Sequence, residues 1–343
     1  MAAPPPDRSR ISLGFASAGS SGGLTFRADR PCLERVTGEL EKQVLKGVSR
    51  SFYLTLRLLP APMRGAASLG YLLARTSDTL ADSTAAPVDA RLQCLDQFSR
   101  AVAAKSEAPR WPVSILNATA DSKERHLLES SAEVFTWLRS LPAAEAELVC
   151  EVLATIISGQ MLDLERFAGA SGETPVVLDD DAALEDYAWR VAGCVGAFWT
   201  KLGFLTLGDR FSNVPEADLL ARGIAYGKGL QLVNILRDLA ADLATGRCYL
   251  PVADPRDPAA LLACHARWLV RAEAWVGEGE VYAKSLRSRR LRAATVLPAL
   301  IARKTLEPLR DVTWDALQHR IKVPRSAVYQ AVIRAFFQAG QRC

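Results

Sequence analysis

The stretch that decides the fold is Gln231-Leu-Val-Asn-Ile-Leu-Arg-Asp-Leu-Ala-Ala-Asp242. It is predicted to be helical, because apolar residues recur every three or four positions and neither Pro nor Gly follows until Gly246. Asp238 and Asp242 are four residues apart, so both carboxylates lie on one helix face, about 6 Å apart along the axis. Asn234 and Gln231 extend that polar face toward the N-terminus.

The same acid spacing occurs about 160 residues earlier, in Asp78-Thr-Leu-Ala-Asp82. This second pair also lies in an apolar helical run and also follows an arginine, Arg75. A single acid pair is typical of a solvated helix edge. Two such pairs indicate two helices that present their carboxylates to a shared central cavity.

Composition narrows the class of protein. The chain has 343 residues, 49% of them apolar, and a net charge of +4, which is typical of a globular protein and too weakly basic for a nucleic-acid surface. Seven scattered cysteines form no CxxC pair, which argues against a zinc site or disulfide framework and indicates a reducing, cytoplasmic compartment. No uninterrupted apolar run reaches 18 residues, so no transmembrane helix is predicted.

The chain divides into a tail and one helical domain. Residues 1–28 are rich in Pro, Ser, Gly and Arg and lack the apolar core of a signal peptide, so we predict a disordered tail. Residues 29–343 are predicted to form a single all-α domain, with an interruption at Pro298. The run 179–181 is interpreted as a helix N-cap, and Asp163 as a surface acid.

The two acid pairs predict the kind of ligand that the cavity binds. Facing carboxylates in an apolar cavity repel one another unless a cation lies between them. Mg²⁺ suits such oxygen ligands and commonly binds through carboxylates and substrate phosphates, while nearby arginines suit phosphate oxygens. The predicted ligand is therefore a phosphorylated molecule with a large apolar part. The absence of Walker, GxGxxG and GxSxG motifs argues against nucleotide kinases, Rossmann oxidoreductases and covalent hydrolases.

Four ordered motifs resemble the squalene/phytoene synthase family, the head-to-head prenyl diphosphate synthases. They are Ser49-Arg-Ser-Phe52, Tyr71-Leu-Leu-Ala-Arg-Thr-Ser-Asp-Thr-Leu-Ala-Asp82, Tyr187-Ala-Trp-Arg-Val-Ala-Gly-Cys-Val-Gly196, and Gln231 to Asp242 followed by Gly246-Arg-Cys-Tyr-Leu-Pro251. The resemblance covers roughly residues 40 to 255. It implies an isoprenoid synthase fold with helices around a central apolar cavity.

The resemblance also implies roles for individual residues. Asp78, Asp82, Asp238 and Asp242, with Asn234, would hold several Mg²⁺ ions. Tyr187, Tyr71 and Arg75 would be catalytic, and Arg50, Arg75 and Arg237 would contact diphosphates. The complete set of residues expected to bind substrate is Ser49, Arg50, Phe52, Arg75, Val191, Gly193, Val195, Gly196, Gln231, Asn234, Arg237, Arg247 and Tyr249.

The resemblance favours condensation of two farnesyl diphosphates through presqualene diphosphate to squalene, with reduction by NADPH. The alternatives are phytoene or dehydrosqualene synthesis without reduction, and a reaction that stops at presqualene diphosphate. Head-to-tail prenyltransferases usually show DDxxD pairs, which this chain lacks, and a non-catalytic helical scaffold is a remote alternative. We expect a cytoplasmic monomer that binds no nucleic acid and contacts membranes peripherally to release an apolar product.

Overall fold

The structure is a computed structural model that describes residues 40–49 and 52–319, together with residues 38, 330, 331, 334 and 335. The predicted tail over residues 1–28 lies outside the described residues, and so does Arg50, which was predicted to contact diphosphate. Within them, the predicted all-α fold is confirmed: helices make up nearly all of the regular structure.

The N-terminal half contains the first acid pair near the end of a long helix. Its helices are α1 Lys46–Ser49, α2 Phe52–Leu58, α3 Ala61–Asp82, α4 Val88–Ala104, α5 Val113–Ala118, α6 Ser122–Glu129, α7 Ser131–Ser140 and α8 Ala143–Arg166, with a π-helical turn Leu40–Leu45 before α1. The helix α3 begins directly after Pro60, which lies at its N-cap, since proline is tolerated where the backbone N–H would be unpaired.

The C-terminal half contains the second acid pair. Its elements are β1 Val176–Val177, α9 Asp181–Ala188, a π-helical turn Trp189–Gly193, α10 Cys194–Leu207, α11 Glu216–Ala244, β2 Arg247–Cys248, α12 Pro258–Ser285, α13 Arg289–Leu306 and α14 Trp314–Gln318. The strands β1 and β2 pair in parallel, with Val176 opposite Arg247. This short ladder holds the chain that follows α11 against the chain that precedes α9.

Two local predictions have different outcomes in the structure. As predicted, the acidic run caps a helix: the Asp180 carboxylate accepts a hydrogen bond from the Ala183 backbone N–H at 2.8 Å. The predicted interruption at Pro298 is wrong, because α13 continues through it. The Tyr226 hydroxyl donates to the Thr295 carbonyl at 2.9 Å, in the turn that proline disturbs, and tertiary packing holds the helix together.

Three apolar clusters form the core of the described chain, and the two larger ones include residues of the acid-bearing helices. The first includes Leu72, Leu73 and Leu80 of α3 together with residues of α4, α7, α8 and α10. The second includes Leu232 and Leu236 of α11 with residues of α12 and α13. The acid-bearing part of α3 therefore packs in the first cluster and that of α11 in the second, although Leu219 near the start of α11 belongs to the first.

One continuous helical run, Asp181–Arg210, is long and apolar enough to span a membrane by length and composition alone. In its most apolar window 39% is buried inside the protein, and α10 packs against α8 and α11. A core helix passes the same test, so this run is weak evidence for a membrane span.

Candidate active site

A cavity of about 390 Å³ lies between α3, α8, α9, α11 and β2. Both predicted acid pairs line it, together with Asn234 and Gln231. The remaining residues of its wall are Ala81, Ile156, Gln160, Asp163, Leu164, Tyr187, Val191, Ile235, Arg247 and Tyr249. The fold thus brings residues about 160 positions apart in the chain to opposite walls of one space.

The first wall is the C-terminal end of α3. Asp78 accepts a hydrogen bond from Gln160 Nε2 at 2.6 Å, and its Oδ2 lies 3.7 Å from Arg75 Nη1. Burial between the cavity walls and the nearby Asp82 carboxylate raise the pKa of Asp78 to about 6. The pKa of Asp82 is also raised, chiefly by burial. Asp78 lines the cavity, and 43% of its side chain is exposed.

The second wall is the C-terminal part of α11. Arg237 donates through Nε to Asp238 Oδ1 at 2.8 Å and through Nη2 to the other carboxylate oxygen. Burial and the neighbouring Asp238 carboxylate raise the pKa of Asp242 to about 7. Arg237 itself does not line the cavity; it lines a smaller cleft shared with Asn234.

The interpretation of Asp163 as a surface acid is wrong. Its side chain is buried, and its carboxylate accepts a hydrogen bond from the Tyr249 hydroxyl at 2.9 Å and lies 3.3 Å from Arg247 Nη1. The Tyr187 ring stacks on Tyr249 with 4.8 Å between centroids. Burial raises the pKa of Tyr187 well above its ordinary value, so its phenol is neutral near neutral pH.

An apolar pocket of about 180 Å³ adjoins the acidic cavity, with Val191 in the wall of both. Val195 and Gly196, which were predicted to bind substrate, also line this pocket. Gly193 does not line it; a Cβ there would lie 2.9 Å from Lys228 Cγ. At Gly196 a Cβ would lie 1.8 Å from the Gly223 carbonyl oxygen, so glycine is required for α10 and α11 to touch.

Other predicted residues lie at the rim or beyond it. Ser49 is buried and its hydroxyl donates to the Leu45 carbonyl, while the Tyr71 hydroxyl donates to the Val48 carbonyl at 3.2 Å. Neither lines the acidic cavity. Phe52 starts α2, and its side chain lies outside the described residues. Arg75 lies one turn before Asp78 and beside its carboxylate, but it does not itself line the cavity.

Several residues of the site escape the sequence motifs. Gln160 and Asp163 come from α8. Glu124 of α6 accepts a hydrogen bond from the Arg75 guanidinium. Arg91 of α4 is buried and donates through Nη1 to the Ala81 carbonyl at 2.8 Å, next to Asp82. A polar residue on an otherwise apolar helix was the available signal for Gln160 and Asp163.

The acidic cavity fits Mg²⁺ held jointly with substrate. Among the described residues, no three Asp, Glu, His or Cys side chains come close enough to bind a metal ion by themselves. However, the buried Gln160 Oε1 has no hydrogen-bond partner within the described chain. Burial and the neighbouring acid raise the pKa values of Asp78 and Asp242, as expected where a bound cation would relieve the repulsion. Because the two acid pairs lie on opposite walls, phosphate oxygens would complete the coordination of each ion.

Known proteins show the same fold and similar sequences. The squalene/phytoene synthase family model matches residues 45–327. The presqualene diphosphate synthase of Zymomonas mobilis is 28% identical over 300 residues, which are 83% of this chain and 89% of that protein. The bifunctional lycopene cyclase/phytoene synthase of Phaeosphaeria nodorum is 29% identical over 210 residues, 61% of this chain but only 33% of that protein.

The solved complex of TcSQS with the ligand E5700 has a TM-score of 0.71 and 24% identity to this chain, and it covers 90% of this chain and 88% of that one. This likeness shows that the helical architecture is shared. The family match extends over most of the chain and includes both acid-pair helices. The chain therefore belongs to the squalene/phytoene synthase family of prenyl transferases.

Proposed function

We propose that the protein joins two molecules of farnesyl diphosphate head to head, through presqualene diphosphate, and reduces that intermediate to squalene with NADPH. One observation carries the condensation: two facing DxxxD walls enclose a polar cavity that adjoins an apolar pocket at Val191. This arrangement suits a ligand with a diphosphate head and a long hydrocarbon chain.

The acidic cavity would hold the diphosphates. When bound, Mg²⁺ supplies Lewis-acid neutralisation of the departing diphosphate. The carboxylates of Asp78, Asp82, Asp238 and Asp242 would hold it, with Gln160 orienting Asp78 through their 2.6 Å hydrogen bond. Arg247, in the cavity wall, and Arg75, beside Asp78, would bind phosphate oxygens.

The apolar pocket would hold the reacting chain. Loss of diphosphate from C1 of one substrate leaves an allylic cation, which the C2=C3 double bond of the second substrate attacks. Loss of one proton then closes a cyclopropane ring and gives presqualene diphosphate. The pocket walls expose almost only apolar atoms, so they exclude the water that would otherwise quench the cation.

The departing proton has a path through the aromatic pair. Tyr187 lines the acidic cavity and stacks on Tyr249, whose hydroxyl donates to Asp163. A neutral Tyr187 phenol can accept a proton while its own proton moves toward Tyr249 and Asp163. Released diphosphate is the second acceptor available in the cavity.

The fate of presqualene diphosphate separates two candidate functions. The Val48-Ser-Arg-Ser-Phe52 motif favours continuation to squalene, and the NADPH part of the proposal rests on this resemblance alone. The similarity to the Zymomonas mobilis presqualene diphosphate synthase over 89% of that protein favours a reaction that stops at the intermediate.

Product analysis distinguishes these candidates. The purified full chain is incubated with farnesyl diphosphate and Mg²⁺, with and without NADPH, and the lipids are extracted. Squalene that forms only with NADPH supports the proposal, whereas presqualene diphosphate in both reactions supports the second candidate. Dehydrosqualene in both reactions, or product only from geranylgeranyl diphosphate, contradicts the proposal.

We also propose a cytoplasmic location with peripheral membrane contact, since the product is strongly apolar and must reach a bilayer. Co-sedimentation of the full chain with liposomes tests this part. Protein that stays entirely in the supernatant contradicts it.

A further inference from the structure

Arg75 is held by two carboxylates from different helices. Its Nη2 donates to Glu124 Oε1, and its Nη1 lies 3.7 Å from Asp78 Oδ2. Glu124 belongs to α6, a helix that contributes no residue to the acidic cavity. The two side chains are only 27% and 19% exposed, so this ion pair is shielded from solvent more than a typical surface pair.

The helix α6 is itself anchored. The Asp121 carboxylate caps it by accepting from the Lys123 backbone N–H at 2.8 Å, and Arg125 Nη2 donates to the Thr119 carbonyl at 3.1 Å. It packs against both α1 and α3, and the Lys123 side chain lies over Gly47. Glu124 therefore presents its carboxylate from a fixed backbone to the helix that bears the first acid pair.

The remaining nitrogen of the guanidinium has no partner. Arg75 Nε is buried, and no hydrogen-bond acceptor contacts it in the described part of the chain. A buried donor without an acceptor is unfavourable. Because Nε is buried, a ligand can reach the guanidinium only through its Nη groups, whose positions Glu124 and Asp78 fix, and the Arg75 side chain as a whole stays 27% exposed.

We propose that Glu124 is a positioning residue: it holds Arg75 beside Asp78 so that the guanidinium meets a phosphate oxygen of the bound substrate. This inference rests on the proposed function. A third carboxylate close to Asp78 and Asp82 adds repulsion, and an ion pair that orients Arg75 offsets it. Arginine loses less freedom per hydrogen bond when its planar group is already oriented.

Two other roles for Glu124 would give different results on substitution. If Glu124 competed with substrate for Arg75, removing its charge would free the guanidinium and tighten diphosphate binding. If the pair only stabilised the fold, removing the charge would lower the melting temperature and leave diphosphate affinity unchanged.

The test measures binding of inorganic diphosphate in Mg²⁺ by calorimetry, together with melting temperature, kcat and KM of the full chain. We expect Glu124→Gln to weaken diphosphate binding and to raise KM about tenfold. Glu124→Asp, which keeps the charge on a shorter stem, should recover part of the affinity. The matched control Glu129→Gln changes an acid on the same helix whose side chain is 54% exposed, and it should stay within about twofold of wild type.

A double-mutant cycle shows whether Glu124 acts through Arg75. In an Arg75→Gln background, Glu124→Gln should no longer change diphosphate affinity. The inference is overturned if Glu124→Gln weakens binding equally in both backgrounds, if it tightens binding, or if it alters only the melting temperature.

The outcomes distinguish a failure of this inference from a failure of the proposed function. Wild-type protein that does not bind Mg²⁺–diphosphate contradicts the proposed function, and the inference with it. Wild-type protein that binds Mg²⁺–diphosphate while Glu124→Gln binds equally well overturns the inference alone.

Discussion

The two acid-bearing helices carry the same DxxxD spacing but are positioned in different ways. The wall formed by α3 is fixed by polar side chains from its neighbours: Gln160 holds Asp78, Glu124 holds Arg75, and Arg91 holds the Ala81 carbonyl. The wall formed by α11 is fixed by backbone contact. A Cβ at Gly227 would lie 2.2 Å from the Ala192 carbonyl oxygen, and one at Gly223 2.8 Å from that of Gly196.

Despite this difference, the electrostatic pattern of the two walls is the same. The first acid of each pair has an arginine beside it, Arg75 next to Asp78 and Arg237 next to Asp238. Among the described residues, no side chain donates a hydrogen bond to the carboxylate of the second acid, Asp82 or Asp242. The second acid of each wall is thus the one with oxygens left for a cation.

The largest effect should come from removing those second acids. We expect Asp82→Ala and Asp242→Ala each to lower kcat about 1,000-fold, because each removes a ligand that stabilises the departing diphosphate. The control Asp96→Ala changes an exposed acid of α4 whose one ion-pair partner among the described residues is Arg100, and this variant should keep full activity. If either Asp82→Ala or Asp242→Ala left kcat unchanged, the two acid pairs would not be equivalent.

The backbone contact of the second wall predicts a stability effect. Gly196→Ala should destabilise the protein by about 2–4 kcal/mol, because the new methyl group meets the Gly223 carbonyl and forces α10 from α11. Gly277→Ala is the matched control, since its Cβ would meet nothing closer than Arg303 Nη2 at 4.0 Å, and it should stabilise α12 by about 0.5–1 kcal/mol. Denaturant unfolding measures both, and equal values would refute the contact argument.

A ligand experiment tests whether the walls need substrate to bind metal. Mg²⁺ alone should change the melting temperature little, since no three acidic groups of the described chain converge on one point. Mg²⁺ with inorganic diphosphate should stabilise the protein by about 2.7 kcal/mol at a hundredfold excess over Kd. An equal shift with Mg²⁺ alone would show that one wall binds the ion without a phosphate.

The smallest effect concerns pH. Asp242 has a folded pKa of about 7 against an ordinary value of 3.8, so the metal-free folded state binds more protons than the unfolded state between these values. Its contribution to stability is therefore lost as pH rises from about 4 to about 7. Asp242→Asn should stabilise the metal-free protein by about 1–2 kcal/mol at pH 8 and by nothing at pH 3. Thermal melts across this pH range, with Asp96→Asn as control, show whether Asp242→Asn stabilises the metal-free protein more at high pH than at low pH.

Prediction from sequence succeeded where a pattern is local. Helical periodicity predicted the two long helices that are α3 and α11 in the structure, and the i,i+4 spacing placed each acid pair on one face. It failed for Asp163, because a lone acid on an apolar helix looks the same whether solvent or Tyr249 faces it. It also failed at Pro298, where contacts from α11 hold together a helix that proline would otherwise break.

The sequence by itself determined that the protein is helical, that two helices each carry a paired acid face, and that the ordered motifs belong to a prenyl synthase family. These properties depend on residue type and on spacings of three or four, which the chain carries locally. Only the tertiary structure decided that the faces meet across one cavity, that α8 adds Gln160 and Asp163, and that Glu124 reaches Arg75 from α6. Those contacts join residues 49 to 86 positions apart in the chain, and only the packing of helices brings such residues together.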